Sequence, residues 1–338
     1  MPKTVEEISR ETGFSVTTVR FVINGQSEKY RISAKTTQQI EDYVALHGYS
    51  LNHAARSLRL NRSDTIGFVT PDLSNAFFAR LMAALETRCR RQNLLLLTAS
   101  SHEDPELENR VVANLLARGV DGLVIAPCQA SLLPQLIKYR SKKPTVFFDR
   151  DYGTSLFPTV VSDNVQCSVD MTRKMLREHG APFYFLCNLA ELPSIQGRIR
   201  GFSSVFHENG IPNAEKWLRL SSEETTAAGR QMMRALIDQL NGPPPAFMCS
   251  SLLILEGALL QIRTQVGQID PSILIGTFDD HTMLDLLPNR VLSIQQNETA
   301  LADRVFERLI EAPGDLKRNP QNDVVAGQLI CRNLNAQP

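Results

Sequence analysis

In the stretch GFSVTTVRFVING, residues 13–25, the types of Thr17, Arg20 and Phe21 suit the edge of a nucleic acid. A threonine hydroxyl can hydrogen-bond a base edge or a phosphate, an arginine a phosphate or a guanine, and a phenylalanine ring can pack on a thymine methyl. Turned at about 100° per residue, Val19, Val22 and Ile23 gather on one side, Thr17 and Phe21 lie opposite, and Arg20 sits on the flank. An ordinary helical hairpin with a solvated outer face fits this spacing about as well, since one exposed Phe carries little weight. The other run of chemical interest is FDDH, residues 278–281. Adjacent Asp279 and Asp280 at a strand end project in different directions and His281 has no partner at ligand spacing, so neither a metal site nor an acid–base pair is supported. No G-x-G-x-x-G or G-x-x-x-x-G-K-[ST] follows the first strand, which weighs against a nucleotide-handling enzyme.

Three short helical patterns must hold the first group. Thr4 with Glu7 forms a capping box ahead of Val5 and Ile8, and Gly13 breaks the chain. Ser15 caps a second helix that Asn24 and Gly25 end, and Ser33 caps a third that stops at Gly48. A short helix, a glycine turn and a capped second helix make the helix-turn-helix geometry, in which the second helix enters the DNA major groove. From Thr65 onward, apolar runs alternate with amphipathic stretches: TIGFVT, LLLLTA, DGLVIAP, PTVFFD, TVVSD, PFYFLCN, PPAFMCS, SILIGTFDD and VLSIQQ. Such runs predict buried parallel strands in doubly wound α/β sheets, and the length suffices for two of them. In open sheets of this kind, polar residues at the carboxyl ends of strands line the ligand crevice.

The 338 residues carry Lys plus Arg and Asp plus Glu in equal number, 36 each, so no global field marks a general nucleic-acid or membrane binder. Residues 1–63 hold nine Lys/Arg against six Asp/Glu, an excess that a solvated surface explains as well as phosphate contacts do. Six scattered cysteines without a C-x-x-C suit a reducing cytoplasm, and neither an export signal nor a spanning segment is evident.

VEEISRETGFSVTTVRFVINGQ, the run from RISAKTT to FFARLMAALE, and ARGVDGLVIAP, FFDRD, GRIRGF and LIGTFDDH together resemble the lactose/galactose-repressor (LacI/GalR) family along almost the whole chain. INGQSEKYRIS, FFDRD and FDDH are most similar to its fructose-repressor and sucrose-repressor subgroup. The resemblance implies a helix-turn-helix headpiece over residues 1–52 and a hinge helix with linker over 53–63. Two Rossmann-like subdomains of periplasmic-binding-protein type follow, 64–163 with 296–320 and 164–295 with 321–338, with a ligand cleft between them. DNA contacts are then expected from Thr4, Ser15, Val16, Thr17, Thr18, Arg20, Phe21, Asn24, Tyr30 and Arg31, and from Asn52, Ala55, Leu58 and Arg59 of the hinge. NHAARSLRL can be capped by Asn52 but is too short to be a stable helix alone in water. The family pattern pairs two such helices in the minor groove, with Leu58 wedging a base step and Arg59 reaching a groove edge or phosphate. Read without that pattern, the segment is a connecting helix whose leucine packs on the core.

By the same pattern the effector is expected on Asp149, Arg198 and Asp279, with Asn75, Phe77 and Phe78 as the opposite wall and Gln296 near a crossover. Carboxylates accept paired hydrogen bonds from sugar hydroxyls, and Arg198 can serve hydroxyls or a phosphate. Where many members carry Asn-Asp this chain has Ser251 and Leu252, which leaves Ser251 as a weaker contact and the identity of the sugar open. The implied protein is a cytoplasmic, nucleoid-associated dimeric repressor, not an enzyme and without cofactor or metal. It would be released from a palindromic operator, or recruited to it, by a fructose-type sugar or sugar phosphate. The ending NLNAQP leaves no leucine heptad, hence the expectation of a dimer. A sugar-metabolising enzyme and an exported sugar-binding protein are the competing readings.

Overall fold

In the computed structural model the chain forms two compact units, Met1–Asp64 and Thr65–Pro338. The structure describes residues 3–49, 62–129, 136, 143–153, 156–311 and 322–334. Asn52, Ala55, Leu58 and Arg59, the hinge positions, lie outside the described residues.

The first unit contains α1 (Val5–Thr12), α2 (Val16–Ile23) and α3 (Ala34–His47). Each start is fixed by its own cap. Thr4 Oγ1 accepts from the Glu7 backbone N–H while Glu7 accepts from the Thr4 N–H, and Ser15 and Ser33 accept from the N–H groups of Thr18 and Thr36. Val5, Ile8, Val19, Val22 and Ile40 form a small buried core, the stripes that the spacing of apolar residues requires.

The second unit is built twice over. Strands β1 (Thr65–Thr70), β2 (Leu95–Ser100), β3 (Gly122–Ile125), β4 (Thr145–Phe148), β5 (Thr159–Ser162) and β11 (Asn322–Val325) form one sheet, in the order β11-β5-β4-β3-β1-β2. Strands β6 (Tyr184–Asn188), β7 (Leu218–Ser221), β8 (Ala246–Cys249), β9 (Leu274–Phe278), β10 (Val291–Gln295) and β12 (Gln328–Arg332) form the other, in the matching order β12-β10-β9-β8-β6-β7. Helices α4 (Ala76–Arg91), α5 (Pro105–Ala117) and α10 (Glu298–Glu311) belong to the first lobe; α6 (Asn164–His179), α7 (Pro193–Glu208), α8 (Thr226–Leu240) and α9 (Leu252–Val266) belong to the second. The central strands are buried on both faces, as their unbroken apolar runs demand. Clusters around Phe68, Phe78 and Phe148 in one lobe and Phe185, Phe202 and Phe206 in the other hold helices to sheets, each fully buried ring contributing roughly 1.5–3 kcal/mol. The two-sheet α/β fold is the one expected, and no described helix is long and apolar enough to cross a membrane.

The chain passes between lobes at three neighbouring places. The Asp163 N–H donates to the Val325 carbonyl at 2.9 Å, and Ser162 Oγ donates to Gln296 Oε1 at 2.5 Å. The end of the chain differs from expectation. DVVAGQLICR is not one strand of the second lobe: β11 pairs parallel with β5 in the first lobe, and β12 pairs antiparallel with β10 in the second. The boundary expected at 320/321 therefore falls between Val325 and Gln328. Gly327 permits this passage, because a Cβ there would crowd Cys167 Sγ and the Gln295 carbonyl. Strand β7 was also not anticipated; it is an edge strand whose LRLS carries too little apolar pattern to stand out.

Candidate functional site

On the first unit, α2 presents Thr17 exposed, with Ser15 at its N-cap and Thr18 tied to that cap through a 2.8 Å contact between the two hydroxyls. Arg20 lies on the flank, 4.0 Å from Glu6, and Asn24 is the exposed C-cap. Val16 packs on the small core and offers only its uncovered part. Phe21 departs from expectation, since its ring stacks on Tyr30 with centroids 3.6 Å apart and planes 6° from parallel. One face of Phe21 is thereby covered, and what projects is a two-ring platform rather than a lone ring. Arg31 next to it is exposed in the left-handed region, at φ 53°.

In the second unit a cleft opens between the lobes. The first lobe lines it with Asn75, Phe77 and Phe78 at the start of α4 and with Asp149 and Arg150 just past β4. The second contributes Asn188 at the end of β6, Leu192, Ser194, Ile195 and Arg198 around the start of α7, Glu224 before α8, and Asp279 just past β9; Gln296 stands at a crossing. These positions lie at the carboxyl ends of strands or in the first two turns of the helices that follow, where an open α/β sheet leaves a crevice.

Electrostatics divide the lining. Arg198 is 5% exposed, donates from Nε to Asn164 Oδ1 at 2.8 Å and from Nη1 to the Ser250 carbonyl at 2.5 Å, and lies over the Phe278 ring with its guanidinium carbon 4.1 Å from the centroid. Arg150 is almost fully buried and held by two hydrogen bonds to the Glu103 carboxylate and a third to the Pro127 carbonyl. Burial works against its charge, but Glu103 and then Asp149 outweigh that, and the guanidinium is held more firmly protonated than usual. Burial pushes the Asp149 carboxyl up, while Arg150 and Arg198 pull it down. Half-buried Glu224 is pushed up to about 7, chiefly by burial and then by the Asp279 carboxylate, against the Ser251 hydrogen bond and the two arginines. Asn75 Nδ2 donates to Glu224 Oε1 at 3.4 Å across the cleft, while Asn75 Oδ1 caps α4 by accepting from the Phe77 N–H. Gln296 Nε2 donates to Asp279 Oδ1 at 2.6 Å, so a chain of bonds runs from Ser162 of one lobe to Asp279 of the other. The arrangement mixes carboxylate acceptors with guanidinium and amide donors, which suits a ligand dense in hydroxyls. Among the described residues no cluster of His, Cys, Asp and Glu is placed to hold a metal ion.

Seven of the eight residues expected at the cleft, Asn75, Phe77, Phe78, Asp149, Arg198, Asp279 and Gln296, are brought together there. Ser251 is not among the lining. Its buried hydroxyl caps α9 and helps hold the Glu224 carboxyl down, a supporting position that follows from its place one residue before the helix. Arg150, Asn188, Leu192, Ser194, Ile195 and Glu224 also line the cleft and were missed. Arg150 could have been found beside Asp149, but no local pattern announces the others.

The profile described as "Periplasmic binding proteins and sugar binding domain of LacI family" matches residues 63–299. The chain is 32% identical over 320 residues to the sucrose operon repressor of Klebsiella pneumoniae, covering 93% of this chain and 95% of the relative. It is 30% identical over 312 residues to the fructose operon regulatory protein of Vibrio cholerae, covering 91% and 94%. Among solved structures, the Cra transcriptional dual regulator from Pseudomonas putida in complex with fructose 1-phosphate superimposes with TM-score 0.70 at 26% identity, over 79% of this chain and 98% of that one. The lac repressor dimer bound to operator and the anti-inducer ONPF shares the fold at TM-score 0.80 and 19% identity, over 98% of both chains. The chain belongs to the LacI family, as a sugar-responsive transcriptional regulator and not an enzyme.

Proposed function

We propose that this protein is a repressor of sugar-catabolism genes that grips a palindromic operator as a dimer and changes its grip when a fructose-type sugar or sugar phosphate enters the cleft. The observation that carries the reading is the cleft itself, where Asp149 of one lobe and Asp279 of the other face Arg198 in a common space. A ligand that bonds to both lobes favours one of their relative positions, and two hinged lobes are a natural two-state element. Thr17, Arg20 and the Phe21–Tyr30 platform read the major groove. Leu58 and Arg59 act in the minor groove and carry the state of the lobes to the headpieces. The dimer and the operator are those in which the lac repressor is seen, and the sugar class is that named for the fructose and sucrose relatives. Such a protein works in the cytoplasm, on the nucleoid.

A coupling of about 1–3 kcal/mol corresponds to a roughly five- to 150-fold change in operator affinity. The test is fluorescence anisotropy with palindromic duplexes selected from a random pool, with fructose, fructose 1-phosphate and sucrose titrated in turn. Binding should weaken steeply with salt and shift with one of the sugars. Indifference to every duplex, or to all three sugars, would remove the reading.

A further inference from the structure

Asn188 is the last residue of β6, is 1% exposed, and lines the cleft. Its backbone N–H donates to Ser250 Oγ at 3.1 Å, and the Ser250 hydroxyl donates its own proton to Asn188 Oδ1. That pair settles which way the amide points: Oδ1 faces Ser250, and both N–H bonds of Nδ2 face away from it. Among the described residues Nδ2 has no hydrogen-bond partner. Leaving a buried amide nitrogen unpaired costs free energy, and native proteins rarely do so unless a ligand, ion or water completes it.

Resting on the reading that the cleft takes a sugar effector, we propose that Asn188 is a specificity-determining effector contact. Its Nδ2 donates to an acceptor oxygen of the bound sugar, and Ser250 acts as the positioning residue that aims it. The carboxylates of Asp149, Glu224 and Asp279 supply acceptors for the sugar's hydroxyl protons. A neutral donor lodged among them takes the lone pairs of a hydroxyl, ring or phosphate oxygen without adding charge. A site with buried hydrogen-bonding groups discriminates strongly, because a ligand that fails to meet them leaves them unpaired.

The alternative is that Asn188 only ties β6 to β8 through Ser250. That role uses the backbone N–H and Oδ1, both of which aspartate keeps, whereas the donors of Nδ2 are lost in Asn188→Asp. Calorimetric titration of the full chain with fructose, fructose 1-phosphate and sucrose, together with ligand-free melting, separates the two. Asn188→Asp should melt within a few degrees of the parent yet bind the preferred sugar at least about tenfold more weakly. The loss should be larger for fructose 1-phosphate than for fructose where both bind, since a fourth carboxylate repels the phosphate. Asn188→Ala, which loses Oδ1 as well, should show a similar loss of affinity and covers the case in which the aspartate variant does not fold. Parental affinity in either folded variant overturns the proposal alone. Failure of the unaltered protein to bind any of the three sugars overturns the effector reading and this proposal with it.

Discussion

Asp149 and Asp279 occupy the same place in two different sheets. Each directly follows the strand third from one end of its sheet, β4 or β9, and each holds its backbone in the left-handed region, at φ 64° and 66°. For a residue with a Cβ this conformation costs about 1–2 kcal/mol, less for aspartate than for most. The cost is accepted twice, at matching positions, and both times it aims a buried carboxylate at the same cleft. Backbone strain repeated in this way motivates a test of both carboxylates as ligand contacts. Asp279→Ala should therefore abolish the sugar response while duplex binding persists. Asp279→Gly should lose the response equally but be more stable than the alanine variant by about 1 kcal/mol, because glycine adopts that φ freely. A retained sugar response in either variant, measured by anisotropy, would exclude the carboxylate from the site.

Glu224 gives the stability curve a slope with a definite sign. Its carboxyl is raised from 4.5 to about 7 by burial and by Asp279, so the folded chain holds this proton more tightly than the unfolded one. The associated stability is complete below the unfolded value and is lost as pH rises through about 7. Solvent in the cleft reduces the effect, leaving about 2 kcal/mol across the window. Burial also raises Glu108 and Asp149, but both titrate alike in parent and variant, so the difference isolates Glu224. In urea unfolding from about pH 5 to about pH 8, Glu224→Gln should lose about 2 kcal/mol less than the parent. Parallel curves would mean that Glu224 is not held in this environment.

How legible these residues were depends on what surrounds them. Central strands such as GLVI and AFMC are buried on both faces and read as unbroken apolar runs. Strand β7 is only four residues long, alternates Leu with Arg and Ser, and is nowhere fully buried, so it presents no apolar run. The split of DVVAGQLICR depends on which sheet each half reaches, a long-range pairing that no local spacing encodes. Asp149, Arg198 and Asp279 were placed through the family resemblance. Asn188 sits inside the apolar-looking PFYFLCN, and Glu224 in a polar loop after the unseen strand, so neither carried a local sign of the cleft.

Two glycines set the distance between α8 and α9. A Cβ on Gly257 would press into the Thr226 carbonyl oxygen, and one on Gly229 into that of Ile254. Because Glu224 precedes α8 and Ser251 caps α9, their contact depends on this close crossing. Gly257→Ala forces backbone apart from backbone and should cost about 3 kcal/mol, weakening effector binding as well. Gly242→Ala, where nothing lies within 4 Å, is the control and should be near neutral. Equal melting temperatures for the two variants would contradict the close packing.

The stack of Phe21 on Tyr30 ties α2 to the segment that follows it, and Tyr30 remains 45% exposed on the outer side of the pair. Lys29 Nζ lies 5.6 Å from the Tyr30 ring centroid, which adds a cation beside the platform. Aromatic pairs contribute about 0.5–1.5 kcal/mol beyond the area they bury, so Tyr30→Ala should lower the headpiece's stability by about 1 kcal/mol. It should also weaken duplex binding, since Phe21 then turns freely and the outer ring face is gone. Tyr30→Phe keeps both rings and separates the platform from the hydroxyl. Duplex affinity near the parent's in the phenylalanine variant, with a several-fold loss in the alanine variant, assigns the contact to the rings. A loss of equal size in both assigns it to the phenolic oxygen, and no loss in either removes Tyr30 from the DNA-reading face.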